Sequence, residues 1–96
     1  MISRDEMLKE MAGLLAPELE QFSAAVEKGC SSMAMFSNDF NVYDGTYTVT
    51  IKTEKDPKQA AKMMAIVLNN CFGYKVAKST PVKDSKKGEI SITIAF

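Results

Sequence analysis

Two stretches of strict alternation constrain this chain more than any other feature. Tyr47, Val49 and Ile51 alternate with Thr46, Thr48 and Thr50, and Ile90, Ile92 and Ile94 alternate with Ser91, Thr93 and Ala95. Successive side chains of a strand point to opposite faces, so each stretch offers one apolar face and one hydroxyl face. A sheet built from them is dry on one side only, and the dry side has to be covered.

Two amphipathic segments can supply that cover. Ser3-Arg4-Asp5-Glu6 reads as a capping box, with Ile2 and Met7 placed as a hydrophobic staple. Leu8, Met11, Leu15, Leu19, Phe22 and Val26 then recur at steps of three and four, the stripe of a helix. Pro17 should kink or break it, because its ring collides with the carbonyl of Gly13, and Pro17 suits the first turn of a second segment. That segment is expected to run to Lys28 and stop at Gly29. Asp56-Pro57-Lys58-Gln59 opens another helix, whose stripe is Ala60, Met63, Met64, Val67 and Cys71 and whose end is Gly73.

The remaining segments read as hairpins. Asp44-Gly45 is a favoured two-residue turn. It sets Val42 opposite Tyr47, Phe40 opposite Val49, Asn38 opposite Ile51 and Phe36 opposite Thr53, with Asn41–Thr48, Asp39–Thr50 and Ser37–Lys52 on the wet face. Tyr74 to Thr80 forms a further strand, Pro81 marks an edge, and residues 84–88 turn into the closing strand. The order α-β-β-α-β-β gives an α+β fold, a single two-layer domain over residues 1–96, with a four-stranded antiparallel sheet and two helices on one face. Gly45–Ile51 matches Gly88–Ile94 at an offset of 43 residues, a faint sign of duplication.

The inventory narrows the chemistry. At 96 residues, 46% hydrophobic and 25% charged, the chain fits one ordinary domain. Its longest apolar run, Met63–Leu68, falls far short of the roughly 20 residues of a membrane span. The opening residues hold no signal-like apolar core, so a cytoplasmic location is expected. There is no histidine and no tryptophan, which removes the commonest general base and metal ligand. Cys30 and Cys71 are too few for a thiolate zinc site and are expected to be reduced and buried. Asp39–Thr50 resembles a calcium loop but has its glycine one position late and Thr50 where a bidentate glutamate belongs. No phosphate-binding glycine motif occurs. An enzyme is the weakest class, with Cys30 its sole candidate nucleophile, and no cofactor or metal is expected.

Charge is polarised although the total is zero. Residues 1–56 carry five basic and ten acidic side chains; residues 57–96 carry seven lysines against Asp84 and Glu89. Lys75, Lys78, Lys83, Lys86 and Lys87 gather around the last hairpin beside Tyr74, a candidate anion- or partner-binding set. Eleven of the twelve basic residues are lysine, which argues against base-specific reading of nucleic acid. On the first helical region Met7, Leu14 and Ala25 form a flank beside the main stripe, a candidate self-association surface. The expected function is a small non-enzymatic protein-interaction module, an adaptor, chaperone or inhibitor of the kind viral and mobile elements use, working as a homodimer or higher oligomer. The alternative is a sequestering protein that holds a nucleotide or other small anion in a lysine-lined pocket at a subunit interface, with Tyr74 or Tyr43 to stack a base.

Overall fold

The first helical region is two helices, not one. In a computed structural model, which describes residues 1–30, 40–41, 43–83 and 88–96, α1 spans Arg4–Leu14 and α2 spans Ala16–Cys30. Ser3 caps α1, its hydroxyl accepting from the Glu6 N–H at 3.2 Å, while Ile2 and Met7 both stay half exposed. The break falls at Leu15, whose N–H still reaches the Met11 carbonyl at 3.1 Å. Pro17 takes the second position of α2, where its missing N–H costs nothing. The count of two helices is thereby corrected to three. The expected stop at Gly29 is also corrected, because α2 continues to Cys30. Gly29 is needed for space instead: a Cβ there would lie 2.5 Å from the Tyr47 hydroxyl.

The sheet is antiparallel and ordered β1-β2-β4-β3, with β1 at Phe40–Asn41, β2 at Thr46–Lys52, β3 at Lys75–Pro81 and β4 at Glu89–Ala95. The first hairpin closes on a longer turn than expected, four residues instead of two. Phe40 faces Tyr47 and Asn41 faces Thr46, rather than Val49 and Thr48. Asn41 causes this: its Oδ1 accepts from the N–H of Tyr43 and of Asp44, and its Nδ2 donates to the Asp44 carboxylate. An Asx turn therefore starts at Asn41 and closes at Gly45, which has φ +65°. The shift is by two residues, so each side chain keeps its face. The expected pairs of residues 36–39, and the Val42 pair, lie outside the described residues.

The inner face carries Val49, Ile51, Ile90, Ile92 and Ile94, all buried, with Tyr47 and Val76 partly so. Leu15 and Phe22, with Ala60, Ala61, Met64, Val67 and Leu68 of α3 (Pro57–Cys71), close over them in one core. Asp56 caps α3, accepting from the Lys58 N–H at 3.2 Å. Cys71 is free and exposed, not buried, because it is the final residue of α3 and the core ends a turn earlier at Leu68. Gly73, at φ +72°, turns the chain into β3.

The strand order is symmetric about the β2–β4 pair. Val49 lies directly opposite Ile92, and those are residues that the 43-residue offset makes equivalent. The β2–β4 pairing is thus centred on the two equivalent positions of the repeat.

Candidate functional site

Among the described residues the outer face of β2 and β4 is polar apart from Ala95. Register places Thr48 beside Thr93 and Thr50 beside Ser91, and the Thr48 and Thr93 hydroxyl oxygens are 3.1 Å apart. Lys52 faces Glu89 at one end, and Thr80 and Lys78 continue the rows of Ser91 and Thr93 on β3. A β-bulge between Val76 and Lys78 sets the lysines. Regular alternation would send Lys75 and Lys78 to opposite faces; the extra residue, Ala77, puts both outward while Val76 and Ser79 turn inward. Ser79 confirms the direction by donating to the Ala61 carbonyl of α3 at 2.7 Å. The Asn69 side chain of α3 accepts from the Val76 N–H at 3.0 Å, which holds the bulge.

This geometry separates residues that the sequence groups together. Tyr74 lies on the helical side, edge-on to Phe22 at 5.3 Å and 85°, whereas Lys75 and Lys78 are exposed on the other face. Lys83 is exposed just beyond β3; Lys86 and Lys87 lie outside the described residues. Tyr74 shares a groove of about 260 Å³ with Leu19, Glu20, Phe22, Leu68 and Phe72, where the one charged side chain is acidic. Among the described residues, lysines and Tyr74 do not converge on one pocket.

The proposed self-association flank also divides at Leu15. Met7 and Leu14, seven residues apart on α1, are 52% and 62% exposed. Ala25 is half buried against the core on α2, because the break resets the helical phase. In its place α3 offers Ile66, 43% exposed. Arg4 hydrogen-bonds Asn70 near the end of α3, while Glu18, just after α1, meets Lys55 just before α3 begins. Thus α1 runs antiparallel to α3, and their exposed apolar side chains share the helical side.

A polar junction at the start of α2 has no counterpart in the sequence reading. Glu18 is almost wholly buried, and its Oε1 accepts from the Thr53 hydroxyl and the Lys55 ammonium, each at 2.8 Å. Oε2 has no hydrogen-bond partner. Burial pushes this carboxyl up, but the bonds from Lys55, Thr53 and its own backbone, with the Lys55 charge, together hold it below the usual range. Gln21, one turn on, donates to the Lys52 carbonyl and accepts from the Lys52 N–H, both at 2.9 Å. The sequence signal was an acidic residue in the first turn after a helix break, which marks a helix start but not its distant partners.

The opposite end is aromatic. Phe40 packs against Tyr47 and Phe96 at 6.4 and 5.8 Å, Phe96 N–H reaches the Gly45 carbonyl, and Tyr43 projects from the adjoining turn. Phe72 and Phe96 are 56% and 71% exposed. Among the described residues no group of His, Cys, Asp and Glu could hold a metal ion, and no helix is long and apolar enough to cross a membrane. No family model, curated protein or solved structure matches this chain.

Proposed function

We propose that this protein is a small non-enzymatic interaction module, an adaptor, chaperone or inhibitor that binds a partner protein while associated with itself. The observation that carries this reading is the exposure of Met7 and Leu14 on α1 and of Ile66 on α3, two helices that pack together. Large apolar side chains exposed on neighbouring helices of a small domain mark a contact site, and pairing by a two-fold axis is the commonest way to cover one. Methionine adapts well to such surfaces. The acidic first half and the basic second half of the chain add polarity to the remaining surface.

Light scattering at tens of micromolar tests the reading, with a dimer or larger assembly expected. Leu14→Glu should return the protein to a monomer with its fold intact, since burying an unpaired carboxylate costs several kcal/mol, about 3–5. A wild-type monomer at that concentration ends the self-association reading. The alternative, capture of a nucleotide or small anion, has weaker support because Tyr74 lies on the helical side and Lys75 and Lys78 on the other face. Calorimetry with mono-, di- and cyclic nucleotides tests it, and micromolar binding abolished by Tyr74→Ala or Lys78→Ala would favour it.

A further inference from the structure

We infer that the outer face of the sheet docks an acidic segment of the partner protein, its carboxylates received by Lys75, Lys78 and Lys52 over the hydroxyls of Thr48, Thr93, Thr80 and Ser91. The inference rests on the interaction-module reading and names the chemistry of its partner.

Three observations carry it. The bulge at Ala77 spends an irregularity of the sheet to bring both lysines of β3 onto one face, where plain alternation would leave only one of the two. Among the described residues the face carries three lysines against Glu89, and Glu89 stands across from Lys52, so the excess positive charge lies along β3. Between the lysines lie short hydroxyl side chains that are donors as well as acceptors, and no aliphatic side chain larger than Ala95 interrupts them on β2 and β4. The surface is therefore built to meet oxygen acceptors rather than an apolar partner.

Carboxylates fit it better than phosphates of nucleic acid. Single-stranded nucleic acid binds where bases can stack on aromatic rings, and the aromatic side chains of β2 and the following hairpin lie on the inner face or at the sheet end. Duplex backbones demand a broad positive field, and here the total charge is zero. A short acidic segment needs only the face itself. Exposed lysines of this kind act on encounter and salt dependence.

The test uses the full-length protein and two fluorescent probes, an octaglutamate peptide and an octathymidylate oligonucleotide, titrated at low and at physiological salt. The peptide should bind at low salt, weaken with salt, and shift the backbone amide resonances of Lys75, Lys78, Thr93 and Thr48. Lys75→Glu/Lys78→Glu should lower its affinity by at least about tenfold, and Lys75→Gln/Lys78→Gln by less. Both pairs are exposed, so unchanged circular dichroism is expected. Phe72→Ala, at the aromatic end, should leave peptide affinity unchanged. The inference is overturned if the oligonucleotide binds as well as the peptide, if resonance shifts map to another face, or if the charge-reversed variant binds equally. Self-association, read by light scattering, is independent of these outcomes, so the two readings can fail separately.

Discussion

At its start α2 is fastened by Glu18 and Gln21 to Lys52, Thr53 and Lys55; from Phe22 onward it is held by rings, with Phe22 against Tyr74 and the bare backbone of Gly29 under Tyr47. Directional bonds at one end fix which residues meet. Apolar contact at the other end supplies more of the stability and leaves rings over, at Phe72 and Phe96, that reach solvent. Specificity and adhesion are thus divided along a single helix, and each end can be weakened without touching the other.

The largest expected effect is at the aromatic end. Phe22→Ala should cost about 3–5 kcal/mol in chemical denaturation, since it empties a buried site between α2, α3 and β3. Glu18→Ala should cost less, about 2 kcal/mol, because Lys55 is partly exposed and recovers water when its partner is lost. The Glu18 carboxyl lies below the ordinary 4.5 when folded, so its contribution is complete above that value and fades as pH falls through the lowered one. The stability gap between wild type and Glu18→Gln should therefore narrow on acidification. A gap independent of pH would show that the carboxylate charge contributes nothing.

Gly29→Ala sets two effects against each other. Helix propensity favours alanine by about 1 kcal/mol, while the added Cβ forces the Tyr47 ring aside, at roughly 1–3 kcal/mol. Net destabilisation is expected in the wild type, relieved in a Tyr47→Phe background, as a double-mutant cycle would measure. The smallest effect belongs to Gln21→Ala, about 1 kcal/mol or less, because both of its bonds to Lys52 are exposed. A loss as large as that of Phe22→Ala would erase the contrast between the two ends.

Local chemistry was legible where a rule involves neighbours in sequence. Ser3 and Asp56 cap the helices they precede, Pro81 lies on an edge strand, and the alternation from Ile90 to Ile94 places the core face. The misreadings came from competition or distance. Asn41 competes with Asp44-Gly45 for the turn and shifts the register by two. Gly29 looks like a helix stop, but the reason for a glycine there is Tyr47, eighteen residues later. Cys71 satisfies the helical period yet lies past the end of the core, a limit that periodicity alone does not encode. The lysine cluster was visible, but the separation of Lys78 from Tyr74 depends on a bulge at Ala77 that no local motif announces. Nothing local marks Glu18 as a junction residue, because its partners Thr53 and Lys55 lie 35 and 37 residues away.

The side chain of Gln21 has a further consequence. By donating to the carbonyl and accepting from the N–H of Lys52, it occupies the two backbone groups that a neighbouring strand would use. An amide borrowed from a helix thus acts as a terminator for the sheet at that row. Open strand edges recruit other chains into growing β-aggregates, so α2 is a stopper as well as a cover. Without Gln21 the two backbone groups of Lys52 lose these partners.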